Sequence, residues 1–474
     1  MLYYMLPQIQ GVLMKKFTIT IVIVAIAAFL YIIDHRQPQK EVPYESNVEL
    51  IKQTNFAKDV VPHTNKPVSI SHYDKKNPAS TTPLLLWHTV SGAVFYELEI
   101  LNDVPENPHG ISTSEHRIFS TREIFTNGYY ADLSPYLSTN KNFYWRVRAL
   151  DYDGNALGVF SDAEQIDVNP NLKIAQKPII NNIDRLTDLP IPLYPVYNWI
   201  PIHNIVDYEL ELLSSPPDIE NGIMPSEDRI WSKVVNNTLD CYDDFARLLS
   251  PGTYYWRVRA IDENGDTIGE YSDTESFVVT EQPHRVEVAT FGDSITHGGG
   301  ALSYSPANLE YSYQTYLEFS TLNLGKSGDT STSMAERFDS DVLPFRPKNL
   351  LILCGSNSIR AGTPANDIIN DLLTIRTKCF IYNIRPIFLT LMPLNPDNIY
   401  KAFGTDTAPN WKLEMMGVND FIRKQQYYID IEPYFYDENG EMATYLATDG
   451  LHPDITGKKL MAEIINANKK RVLR

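Results

Sequence analysis

Cysteine is scarce in this chain: three residues in 474, Cys241, Cys354 and Cys379. So few, so widely spaced, exclude a disulfide framework and a cysteine zinc site. Cys354 lies inside an apolar run, where a thiol serves as a small buried hydrophobe rather than a nucleophile. Clustered Lys and Arg are also missing, and the formal net charge is -18. A nucleic-acid surface needs the opposite, so no nucleic-acid partner is expected. The chain has no Walker loop, no dinucleotide fingerprint and no His-Glu-x-x-His pair, which removes the commonest nucleotide and zinc-hydrolase chemistries. What is present is 43% hydrophobic content, ample for packed cores, over a length that suits about three domains.

One long apolar run stands out. Lys15-Lys16 precedes Phe17 to Ile33, and Asp34-His35-Arg36 closes it. The run lies at the short limit for a membrane span. An Ala25-Ile26-Ala27 site could be cleaved, but Phe29 to Ile33 continues apolar beyond it, so the run reads as an uncleaved anchor. Two lysines before it would stay cytoplasmic and leave everything after Ile33 outside, membrane-anchored, or secreted if the segment is cleaved. Met14, directly before the lysines, is an alternative start.

Sliding the sequence along itself exposes a repeat at a spacing of about 111 residues. Phe95 to Ile100 returns as Asp207 to Leu212, and Phe143 to Ala149 returns as Tyr254 to Ala260. Each copy then ends in an aromatic-Ser-Asp triplet, Phe160-Ser161-Asp162 and Tyr271-Ser272-Asp273. Tyr254, Trp256, Val258 and Ala260 alternate with Tyr255, Arg257 and Arg259, the pattern of a sheet with one buried side. Trp145 and Trp256, on the apolar face, are expected in cores rather than as sugar platforms. Short β runs over about a hundred residues predict two β-sandwiches. The approach Leu249 to Tyr254 resembles that to the sixth strand of fibronectin type III domains, whose corner tyrosine is replaced by Phe143 in the first copy. Residues 1–40 are then the anchor segment, 41–82 a linker, 83–170 and 171–282 the sandwiches, and 283–474 the last domain.

That last domain carries four motifs in order. Phe291-Gly292-Asp293-Ser294 follows an apolar run from Val286. Asn323 to Asp329, Gly355-Ser356-Asn357 and Asp449-Gly450-Leu451-His452-Pro453 come after it. Gly292 would end a strand and display Ser294 at the carboxyl edge of a sheet. A serine hydroxyl needs a base, and among ten histidines His452 has the best context, because Asp449 three residues earlier can hold its ring. His297 is the rival base, with no neighbouring carboxylate and three glycines after it. Asp293 reads as structural. An oxyanion would find donors in the backbone N–H groups of Ser294 and Gly328 and in the side-chain amide of Asn357. Pro453 reads as the first residue of a helix.

These four blocks resemble the SGNH, or GDSL-type, hydrolase family, over residues from about 284 to the end. The resemblance implies a three-layer α/β/α domain of the flavodoxin type, ester hydrolysis and no cofactor. One position departs: many members have Gly-x-Asn-Asp in the third block, where Ser358 follows Asn357 here. Together these readings predict a membrane-tethered, extracytoplasmic serine esterase, with acetyl groups on a polysaccharide as the leading substrate and carbohydrate contact through the sandwiches. A lysophospholipase or arylesterase, an acyltransferase using the same residues, and a catalytically silent adhesin are the other readings. The loops from Gly298 to Ser312 and from Asn395 to Trp411 are candidate pocket walls. Since every block lies after residue 281, deleting residues 34–281 is expected to leave turnover on a small soluble ester within about a few-fold.

Overall fold

The computed structural model describes residues 65–474 except 109, 183–190, 203–204, 206, 237–241, 244–246, 248–249, 283–284 and 303. The apolar run from Phe17 to Ile33 and Cys241 lie outside the described residues. Among those that are described, no helix is long and apolar enough to cross a membrane.

Two β units precede an α/β domain. The first pairs Arg117–Ile124, Phe95–Leu101, Tyr144–Leu150 and Glu164–Gln165 in one sheet, and Leu84–Leu86 with Gly128–Tyr130 in another. In the second, Arg229–Asn236, Asp207–Leu213 and Gly252–Ile261 run in sequence, with Thr267–Ile268 and Glu275–Val279 both pairing the last of them. Its other sheet is Tyr242–Asp243, Tyr197–Ile200 and Ile179–Ile180. Trp145 and Trp256 are buried in the two cores, as their alternation requires.

The opposite face of each main sheet departs from the expectation of one buried side. Arg146 and Glu99 are fully buried, and so nearly are Arg257 and Glu211. Arg146 Nε donates to Glu99 Oε2 at 2.8 Å, and Arg257 Nε to Glu211 Oε1 at 2.7 Å. Each guanidinium lies 4.0 Å above an aromatic ring, Phe160 in the first unit and Tyr271 in the second. The remaining guanidinium hydrogens go to loop carbonyls such as Ser112 and Met224. Charges can be buried this way only when paired and fully hydrogen-bonded. The aromatic-Ser-Asp triplet thereby finds its reason: its ring floors the arginine, and its serine hydroxyl accepts from Val147 N or Val258 N at 3.0 Å.

The segment read as a linker also needs correction from residue 65 onward. Ser69 bridges Trp87, Tyr73 bridges Ile166, Ala79 bridges Val168, and Ala79 is buried in the first core. Its Pro, Asn and Lys content hid these edge pairings, which use backbone groups that any residue carries.

The α/β domain has five parallel strands in the order Leu322–Asn323, Val288–Gly292, Asn349–Leu353, Arg385–Leu389, Tyr428–Ile429. This is the flavodoxin-type order, whose direction of winding reverses between the first and third strands in sequence. Those strands read as continuous apolar runs because both faces are covered, by helices including Ser331–Asp341, Ala365–Ile381 and Ile455–Val472. Their carboxyl ends, at Gly292 and Leu353, open on the switch-point crevice.

Candidate active site

Ser294 opens the short helix Ser294–His297 directly beyond the strand Val288–Gly292. Asp293 caps that turn, its Oδ1 accepting from Ile295 N at 3.0 Å, which is the structural role expected for it. Ser294 Oγ lies 2.8 Å from His452 Nε2, and His452 Nδ1 lies 2.7 Å from Asp449 Oδ2. Asp449 is fully buried, and its other oxygen accepts from Leu451 N at 2.8 Å and His452 N at 2.7 Å. A carboxylate so held accepts a hydrogen from Nδ1, which leaves the lone pair of Nε2 facing the serine. The geometry brings together the three residues that the sequence singled out.

Pro453 does not begin the last helix, which spans Ile455–Val472 with Asp454 as its cap. The Asp454 backbone is extended, and its side chain, which caps no helix N–H, accepts from Thr448 N at 2.8 Å.

The donor loops meet the serine from the neighbouring strand ends. Gly328 has φ +81°, a left-handed conformation that costs a side-chain-bearing residue. Among the described residues the N–H groups of Ser294 and Gly328 have no hydrogen-bond partner, and both residues border the same cleft. Asn357 Nδ2 donates to Asp329 O at 2.9 Å, which fixes the amide and leaves its second hydrogen uncommitted. Ser358 is buried and accepts from Ser331 N at 2.9 Å, away from the cleft. The cleft measures about 220 Å³ and is walled by Gly298 to Gly300, Tyr304, Pro306, Ser327, Arg360, Phe403 and Leu451. Phe403 packs edge-on to the His452 ring at 5.9 Å. Both candidate loops thus reach the cleft, though Tyr311 stacks behind Tyr304 instead of lining it.

His297 is not placed as a base. It is buried, with Nδ1 2.9 Å from Ser327 Oγ and Nε2 2.8 Å from Tyr194 O. Cys354 is buried too, and burial pushes its thiol far above its ordinary range, so it is inert as a nucleophile.

Two residues that sequence reasoning missed hold the site together. Arg337 donates to the Asp329 carboxylate, to Leu324 O at 2.9 Å and to Gly292 O at 3.0 Å, tying the serine strand to the glycine loop. Lys458, fully buried on the last helix, donates to Ile295 O at 2.7 Å, inside the turn that carries Ser294. Neither has a motif; a lone Arg or Lys on a helix face reads as solvated.

Burial pulls the Lys458 ammonium down to about 7 from its ordinary 10.5, against the carboxylates of Asp293, Asp449 and Asp454. The unfolded chain keeps that proton up to the ordinary value, so stability carried by this group is present above 10.5 and is lost as pH falls through about 7. Asp293 and Asp454, pushed up to about 6 by burial, act in a lower window and lose theirs as pH rises through it. The melting temperature should therefore gain a contribution from Lys458 between about pH 7 and about pH 9, and Lys458→Met should flatten that gain. Melts of the two proteins across this range, if equally steep, would remove Lys458 from the account.

Residues 290–460 match the family described as GDSL-like Lipase/Acylhydrolase. No curated protein matches the chain. Similar solved structures include the lipase/acylhydrolase from Enterococcus faecalis, 22% identical, covering 40% of this chain and 97% of that one, with a TM-score of 0.32. A GDSL-like lipase from Bacteroides thetaiotaomicron is 18% identical over 41% of this chain and 93% of its own, with a TM-score of 0.33. Residues 290–460 thus form a domain of the GDSL-like lipase/acylhydrolase family, and the protein is a carboxylic ester hydrolase of that type.

Proposed function

We propose that this protein is a serine esterase that removes short acyl groups, acetyl above all, from a polysaccharide outside the cytoplasm. The observation that carries the mechanism is the continuous relay Ser294, His452, Asp449 at the floor of an open cleft. His452 takes the hydroxyl proton as Ser294 attacks the ester carbonyl, and Asp449 steadies the imidazolium that forms. The oxyanion is met by the N–H groups of Ser294 and Gly328 and by the Asn357 amide. His452 then returns the proton to the leaving alcohol. Water, activated by the same ring, releases the acyl group from Ser294.

The size of the cleft favours a short acyl group. About 220 Å³ lies below the usual range for drug-sized ligands, and four glycines and a proline form much of its wall. A long chain would need a deep apolar groove here, and among the described residues the apolar lining is limited to Tyr304, Pro306, Phe403 and Leu451. The membrane tether rests on the run from Phe17 to Ile33. We read the two β units as fibronectin type III-like. Support comes from the three-stranded and five-stranded sheets of the second unit and from Tyr254, whose hydroxyl donates to Ser250 O at 2.9 Å as a corner tyrosine does. In the first unit Phe143 has no hydroxyl for that bond.

An ester panel tests the reading: short and long acyl nitrophenyl esters, lysophospholipid and acetylated glycans. Acetyl esters should turn over fastest, and acetylated glycans should release acetate. Activity that rises with chain length would transfer the assignment to lipid.

A further inference from the structure

We propose that the second β unit is a working part of the oxyanion hole, acting through Leu193–Tyr194 and His297, with His297 as the positioning residue. The proposal rests on Gly328 being an oxyanion donor.

Leu193 and Tyr194 come from the chain just before the strand Tyr197–Ile200, yet both are buried in the core of the hydrolase domain. Leu193 N donates to Asn323 O at 2.9 Å, which adds a rung outside the edge strand of the parallel sheet. Tyr194 is held on three sides. Its hydroxyl donates to Asp341 Oδ2 at 2.7 Å, its ring lies under the Lys326 ammonium at 5.1 Å, and its carbonyl faces His297 Nε2 at 2.8 Å.

A carbonyl can only accept, so Nε2 carries a hydrogen toward Tyr194 O, while Nδ1 is hydrogen-bonded to the Ser327 hydroxyl, 2.9 Å away. Ser327 is the residue before Gly328 and lines the cleft. The rest of the glycine loop also leans on His297. Asn323 Nδ2 donates to His297 O at 3.0 Å while Asn323 Oδ1 accepts from Gly325 N at 2.9 Å. A Cβ at Gly325 would lie 2.6 Å from His297 Cα, so the loop packs backbone to backbone. The imidazole is a spacer between the junction with the second β unit on one side and the oxyanion loop on the other. Moving either end moves the Gly328 N–H.

This arrangement replaces the view of the sandwiches as a removable stalk. Tyr304, in the cleft wall, donates to Val90 O of the first unit, and Asn198 Nδ2 of the second donates to Ser305 Oγ at 3.0 Å. Removing both units would strip these supports and uncover the sheet edge at Asn323.

The test uses the full chain. His297→Phe keeps a ring but loses both hydrogen bonds, and kcat on nitrophenyl acetate should fall about ten- to a hundred-fold with KM within about two-fold. His297→Gln, which can still donate to the Tyr194 carbonyl, should recover part of the loss. Wild-type kcat in folded His297→Phe, or equal changes in kcat and KM, would overturn the proposal. Should His297→Phe fail to fold, Ser327→Ala cuts the same link on the loop side and must lower kcat with KM unchanged; normal turnover there overturns it equally. Ser294→Ala in the same assay separates the two levels. If that variant still turns over, the nucleophile assignment has failed, whereas an inactive Ser294→Ala beside a normal His297→Phe sinks only the positioning role.

Discussion

Ser294→Ala should lower turnover of every ester tested by at least about ten-thousand-fold while the protein still folds. The size of the effect follows from the relay: without the hydroxyl there is nothing for His452 to activate, and a water in its place is neither held nor oriented. The fold survives because the Ser294 side chain is part-exposed and its hydroxyl bonds the part-exposed His452 ring, so its removal opens no cavity and orphans no buried group. His452→Ala should be comparably damaging, and the double variant no worse than either, since nucleophile and base act as one unit. Steady-state kinetics on a short nitrophenyl ester, beside thermal melts, measures both halves. Substantial residual turnover in a folded Ser294→Ala would mean that another group attacks the carbonyl.

The parts of the site legible in the sequence are those whose chemistry is local. Asp449 and His452 stand three residues apart and form their bond within one turn, so the spacing alone suggested the pair. Gly292 ends its strand where a Cβ would meet Leu353 O at 2.6 Å, and Gly328 turns through φ +81°, so each position asks for glycine by its local geometry. The apolar runs of the parallel strands were legible because a strand covered on both faces needs continuous hydrophobicity.

What was hidden is long-range pairing by residues that are ordinary surface types. Arg337 lies 45 positions from Gly292, and its hydrogen bond there exists only because the helix Ser331–Asp341 packs beside the serine strand. The Arg and Glu alternation in the sandwiches was visible, but binary patterning assigns charge to water. It cannot register that Arg146 faces Glu99 across the sheet while loops close over both. Leu193 and Tyr194 are separated from the motifs by a hundred residues, and nothing in their spacing announces that they complete another domain's edge.

Asn357→Ala should lower kcat by about a hundred- to a thousand-fold and change KM little, because a bond to the oxyanion strengthens mainly in the transition state. The structure sharpens this expectation. One hydrogen of the Asn357 amide is committed to Asp329 O, and Arg337 grips the Asp329 carboxylate, so the remaining N–H is preorganised by a chain of bonds rather than by the amide's own preference. Electrostatic stabilisation of this kind is large only when the donor is fixed before the charge appears. Ser358 is the control beside it. Its hydroxyl accepts from Ser331 N and donates to Ser331 Oγ at 3.2 Å, and Ser331 in turn donates to Asp371 Oδ2 at 2.7 Å. A carboxylate at position 358 could accept from the same N–H, at the amino end of the helix Ser331–Asp341 where negative charge is favoured, though Asp371 stands close behind. Ser358→Asp should therefore alter stability more than catalysis, leaving kcat within about a few-fold, since the residue holds the turn and does not touch the cleft. Kinetics and melts on the two variants decide it. A mild Asn357→Ala effect beside a severe kcat loss in folded Ser358→Asp would place the third oxyanion donor elsewhere on this loop.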